Sequence, residues 1–259
     1  MSKVSKVSKV SKVSKALGRW QVVFLAAVTV VAGAAACSKG ESRDAMAMES
    51  AAATQAGTPM DAGADYTIVL RSLWTKTNFP FEYPEAGALT GPHFSGIIGA
   101  SHNASYEVFR PGSAPTPGLE RLSEEGKHGP LDEEIKSAVA SGAAGTLFES
   151  GPLRDFSDSL VVTVHVDPQH PLVSLVAMVA PSPDWFTGLN DVNLMENGGW
   201  TAAKTLELYA WDSGGDDGLT YKAADKDNNP KKPTMQNLDR HFAKAGKASP
   251  VAIVTITRR

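Results

Sequence analysis

The chain has 259 residues, 42% hydrophobic and 20% charged, a composition that suits one globular domain with appendages. Its formal net charge of −3 conceals an asymmetry: residues 1–37 carry six basic side chains and no acidic one, leaving 19 basic against 28 acidic residues, a net of −9, in the remainder. A body that acidic argues against nucleic-acid binding, which depends on neutralising phosphates with Lys and Arg, and it suits the attraction of cations.

Residues 1–36 read as an export signal. Four Ser-Lys-Val repeats form a basic head, and the uncharged run Trp20–Ala36 follows, at the short limit for spanning a bilayer and ending in small residues. Cys37 is the single cysteine, so it has no partner for an intramolecular disulfide. Ala34-Ala35-Ala36-Cys37 resembles a bacterial lipobox, with Ala34 where Leu is commoner, and Ser38 is similar to the residue associated with transfer to an outer membrane. Lipidation of Cys37 through two or three acyl chains would anchor the chain stably. Ordinary secretory cleavage and an uncleaved anchor are the alternatives. Residues 37–64 then form a flexible tether: from 38 onward they contain no aromatic, Ile, Leu or Val, too little apolar surface to offset chain entropy.

The folded unit is expected over 65–259. Tyr66–Trp74 opens it as a strand rich in β-branched and aromatic residues, and short strands are predicted near His93–Ile98 and Ser105–Arg110. Leu131–Ala140 has helical spacing, with acids in its first turn. Ser159–Val166 and Leu172–Ala180 are the strongest strands, and the turn residues between them (Asp167 to Pro171) predict a hairpin. Thr201–Trp211 and Val251–Thr257 complete the set. Many strands, frequent Gly and Pro, one or two short helices and no βαβ rhythm predict an all-β antiparallel sandwich.

Several chemistries are missing. The sequence has no nucleophile elbow, no phosphate-cradling loop before a helix and no paired His on a helix. The six histidines lack zinc-like spacing and read as loop or sheet-surface residues. Asp225–Pro230 imitates an EF-hand start, but Pro230 stands where Gly is required and Gln236 where a bidentate Glu belongs. No catalytic residue is identified, and the chain is read as a non-enzyme.

Two stretches remain. PSPDWFTG, residues 181–188, spends two prolines and a glycine on presenting Asp184 between loop and aromatics. WDSGGDDG, residues 211–218, gathers Asp212, Asp216 and Asp217 on a glycine-rich loop. The second reads either as a solvated acidic turn or as part of a hard-cation site, since Ca²⁺ takes about six to eight oxygens from carboxylates, carbonyls and water.

The run from Ser174 through PSPDWFTG, then Trp200 and WDSGGDDG, resembles the spondin N-terminal domain family. His93-Phe-Ser, Gly99–Asn103, Tyr106 with Arg110-Pro-Gly112, Gly118–Gly126 and the closing Pro250–Ile256 follow the family's order. The resemblance implies a C2-like β-sandwich in an extracellular adhesion protein that binds Ca²⁺. Carried across by motif, the calcium ligands fall on Asp184, Asp212 and Asp216, with Asp217 at a Ser-like position. Met195 replaces a family cysteine, so packing around Trp200 must do what a disulfide does elsewhere.

Together these readings predict a calcium-binding adhesion or ligand-binding module, exported and held as an outer-membrane lipoprotein through Cys37, with an envelope or extracellular protein or glycan as partner. A C2-like calcium-dependent lipid-binding domain is the alternative, and a metal-assisted envelope hydrolase a further one.

Overall fold

A computed structural model describes residues 62–85, 91–152 and 159–259. The export signal, Cys37 and nearly all of the expected tether lie outside the described residues. The folded chain begins slightly before the expected Asp65: β1 spans Ala64–Ser72, and the Trp200 indole donates to the Ala62 carbonyl at 2.9 Å.

Two antiparallel sheets and a pair of helices make three layers, and two further two-stranded ladders pair β8 (Met195–Glu196) with β9 (Gly199–Trp200) and β13 (Ala243–Lys244) with β14 (Lys247–Ala248). The smaller sheet sets β10 (Ala203–Leu208), β15 (Ala252–Arg258), β1 and β5 (Ser159–Val166) side by side in that order. The larger runs β12 (Met235–Gln236), β11 (Ala210–Asp212), β7 (Trp185–Asn193), β6 (Leu172–Ala180), β3 (Ile98–His102) and β4 (Ala144–Glu149), with β2 (His93–Phe94) also on β6. The all-β sandwich expected from the sequence is therefore the observed architecture. The main core lies between the sheets, where Tyr66, Ile68, Leu70, Leu175, Val179, Trp185, Val254 and Ile256 meet. A second core lies between the outer face of the larger sheet and helices α1 (Pro117–Glu125) and α2 (Leu131–Ala140), built on Phe186, Val176, Leu119, Leu122 and Ile135.

β6 is buried along almost its whole length because both its faces are covered, which is why its sequence is a continuous apolar run. β5 alternates buried and exposed residues, as an edge strand with one wet face does. That difference overturns the predicted hairpin: β5 pairs with β1 and β6 pairs with β3 and β7, so residues 167–171 carry the chain from one sheet to the other. Thr201–Trp211 likewise divides at Tyr209 into β10 and β11, which belong to different sheets.

Ser105–Arg110 forms no strand; it loops over the second core and buries Val108 and Phe109 there. The PSPDWFTG segment is a loop only as far as Asp184, and Trp185 begins β7. The histidines also differ from expectation, since His102 and His241 are buried. Met195 stands directly across a two-residue ladder from Trp200, which packs against the main core.

α1 went unpredicted, yet its signals are present. Pro117 occupies the first turn, Thr116 Oγ1 accepts the Leu119 amide at 3.1 Å, and Gly126 closes the helix at φ 66°. α2 supplies a second cap: Glu134 accepts from the Gly118 amide and the Thr116 hydroxyl, both at 2.7 Å.

A candidate metal centre at one end of the larger sheet

Asp184 is the last residue before β7, and Asp212 is the last residue of β11. The two strands are hydrogen-bonded with Asp212 opposite Trp185, so sheet pairing itself sets the two acids side by side. Beyond Asp212 the chain curls through Ser213–Gly218 and wraps around Asp184.

Asp184 is 0% exposed. Its Oδ2 accepts from the Ser213 hydroxyl at 2.9 Å, the Gly215 amide at 2.8 Å and the Asp216 amide at 3.2 Å. Its Oδ1 is buried and has no hydrogen-bond partner. Burial raises the pKa of this carboxyl, and the three donors only partly oppose it.

Asp212 is half-buried, and its Oδ1 accepts the Gly214 amide at 2.9 Å. Desolvation, with the Asp184 charge adding to it, raises its pKa to about 6. The Trp185 indole N–H, which closes no good hydrogen bond, has a small opposing effect on the same carboxyl.

Asp216 is 4% exposed, but both its oxygens are engaged: Oδ1 with the Gly218 amide at 2.6 Å and Oδ2 with the Lys226 amide. The structure thus gathers the three expected acids around one loop. Asp184 and Asp212 face each other electrostatically, while Asp216 meets Asp184 through its amide.

The loop is fastened from outside by residues the sequence had offered only as a failed EF-hand. The Asn228 side chain donates to the carbonyls of Gly214 at 3.2 Å and Asp216 at 2.7 Å, and its amide to Gly215 at 2.7 Å. Gly214 sits at φ 85°, and a Cβ there would lie 2.2 Å from the Lys232 carbonyl oxygen. Only glycine accepts both conditions.

A second acidic cluster adjoins the first. Ligand oxygens of Glu120 and Glu124, on α1, and of Asp227 lie within 4.8 Å of one another, the closest such grouping among the described residues; the three expected aspartates do not converge as tightly. Lys231 neutralises part of this cluster, reaching Glu120 at 2.6 Å, Asp227 at 3.2 Å and the Gly215 carbonyl at 3.3 Å. Glu124 is left out: its buried Oε1 has no partner. Burial, then the nearby Glu120 charge, raises its pKa to about 7, with Asp227 and Asp184 adding and Lys231 opposing. Sequence reading missed Glu124 because α1 was missed; the Glu120/Glu124 spacing of four on a capped helix was the available signal.

A serine–histidine contact elsewhere, Ser174 Oγ to His102 Nε2 at 2.7 Å, lies between two fully buried residues and also engages Asn190 and the Asp191 amide. It knits β6, β3 and β7 together.

Residues 64–249 match the sequence profile of a family described as Spondin_N. Spondin-2 of Rattus norvegicus is 32% identical over 163 residues, 62% of this chain and 48% of its own length, and Spondin-2 of Homo sapiens is 31% identical over the same shares. Spondin-1 of Xenopus laevis is 28% identical over 214 residues, 75% of this chain and 25% of its own. The chain thus spans about half the length of Spondin-2 and a quarter of Spondin-1.

Proposed function

The chain belongs to the Spondin_N family, and from that membership we propose that its folded unit is a calcium-binding module for adhesion or ligand capture, exported and tethered to an envelope membrane through lipidated Cys37. The observation that carries the calcium reading is the orphaned, fully buried Oδ1 of Asp184 beside the half-buried carboxyl of Asp212. A buried carboxylate oxygen without a partner is costly, and two adjacent acids raise each other's pKa. A bound hard cation would supply the missing charge and accept the free lone pairs.

In this reading the division of labour within Asp184 is specific. Oδ2 holds the loop through three donors, and Oδ1 is left for the ion. Asp212 is the second ligand, and Asp216 shapes the turn with its amide while its carboxylate, which keeps lone pairs beyond its two hydrogen bonds, is the third. The module's protein or glycan partner would then meet a loop end whose charge the ion has reduced.

The test is thermal unfolding in chelator and in millimolar calcium. Calcium at a hundredfold excess over Kd contributes about 2.7 kcal/mol, an upward Tm shift of roughly 5–10 °C for a domain of this size. Asp184→Asn and Asp212→Asn should each abolish the shift, and identical curves for the parent protein in both buffers would refute the metal assignment.

One observation favours the C2-like lipid-binding alternative. Leu219, immediately after the loop, is 75% exposed, and Met235, cross-strand from Asp212, is 62% exposed. Apolar side chains beside a neutralised loop suit contact with a bilayer, and calcium-dependent co-sedimentation with anionic liposomes, lost in a Leu219→Ser, Met235→Ser double variant, would support it.

A further inference from the structure

We propose that Glu124, projecting from α1, is a further ligand of the cation assigned above to Asp184, Asp212 and Asp216, so that the ion joins the helical layer to the loop end of the larger sheet. The inference rests on that calcium reading and adds a residue which neither motif contains.

Gly215 carries the geometry. Its amide lies 2.8 Å from Asp184 Oδ2, and a Cβ on it would lie 2.7 Å from Glu124 Oε1. The two carboxylates therefore reach the same residue, Asp184 at its amide and Glu124 at the place a side chain would fill, and the absence of that side chain lets Glu124 approach. Each keeps one buried oxygen without a hydrogen-bond partner, Asp184 Oδ1 before β7 and Glu124 Oε1 on α1; among the described residues Asp132 Oδ1 is the other such carboxylate oxygen, and it lies on α2. Asp184 is 0% exposed, so its free oxygen has no access to bulk water in compensation.

Lys231 does not answer this need. Its ammonium is committed to Glu120, Asp227 and the Gly215 carbonyl, an arrangement of two carboxylates and a backbone oxygen around a tethered positive charge. Glu120 and Asp227 thus have their cation built in, whereas Glu124 and Asp184 are left for an external one. Oxygen-only ligands of this charge select a hard divalent ion, with calcium favoured over magnesium where donors come from separate, adjustable elements.

The experiment is calcium titration of the full chain by calorimetry, with apo unfolding recorded alongside. Glu124→Gln should weaken calcium binding by about tenfold or more while leaving the apo Tm unchanged or higher, because an unpaired buried charge has been removed. Glu120→Gln should leave calcium affinity within about twofold and lower the apo Tm by unpairing Lys231. Parent-like affinity in Glu124→Gln, with the parent protein binding calcium, overturns this inference alone. No calcium binding by the parent protein overturns it together with the reading beneath it.

Discussion

Asp184 shows how much one side chain can be asked to do in this protein. One oxygen organises Ser213, Gly215 and Asp216, and the other is unpaired in a dry site. The raised pKa of Asp212, about 6, and of Glu124, about 7, fix the sign of the pH response. Carboxyls whose folded pKa is raised bind protons more tightly folded than unfolded, so stability falls as pH rises from the unfolded value, near 4, through the folded one. His170, also raised, contributes with the same sign above its ordinary value. In chelator, Tm should therefore decline between about pH 4.5 and 7.5, and Asp212→Asn should flatten that decline. In saturating calcium the acids are held ionised, and the decline should shrink. Thermal scans across this pH range in the two buffers check both statements. The residue-level legibility was uneven for a physical reason. Asp184 and Asp212 stand out because prolines and glycines flank them, whereas Glu124 lies in an ordinary helical stretch whose importance depends on a contact nearly a hundred residues away in sequence.

At the scale of elements, the site depends on α1 being held in place. Thr116 caps it, and α2 reaches back through Glu134 to the Gly118 amide and the Thr116 hydroxyl. Thr116→Ala should cost about 1 kcal/mol of stability. If Glu124 is a ligand, it should also weaken calcium binding by a few-fold through frayed positioning, which the same calorimetric titration reads. Gly215→Ala meets Glu124 directly and Gly214→Ala meets the Lys232 carbonyl. Both should lower Tm, the second in calcium and in chelator alike, because its conflict is with backbone rather than with the ion-binding face. The strands were readable wherever one covering pattern persisted. β1, β5, β6 and β15 announce themselves by composition, and α2 by its period. β7 did not, because its first half sits within a motif dominated by turn residues. The β5–β6 hairpin misled because a short turn between two strands does not reveal that the strands enter different layers.

At the scale of the whole molecule, the proposed anchor at Cys37 and the candidate ion site, at Asp184 to Asp216 with Glu124, are far apart in sequence. Metabolic lipid labelling should mark the parent protein and not Cys37→Ser, and the variant should leave the membrane fraction. Protease shaving of intact cells then separates a surface adhesin from a periplasmic scaffold. The sandwich class was legible because many short strands without a βαβ rhythm leave few alternatives. The three-layer arrangement was not, since covering one sheet with helices is decided by long-range packing of Phe186, Val176 and Leu119 rather than by any local pattern.

Met195 facing Trp200 has a further consequence. With one cysteine in the chain, and that one outside the described residues, the sandwich owes nothing to thiol oxidation. Its maturation is indifferent to oxidoreductases, and dithiothreitol should leave its unfolding curve unmoved. The same domain can therefore be assembled in a reducing cytosol as readily as in an oxidising compartment.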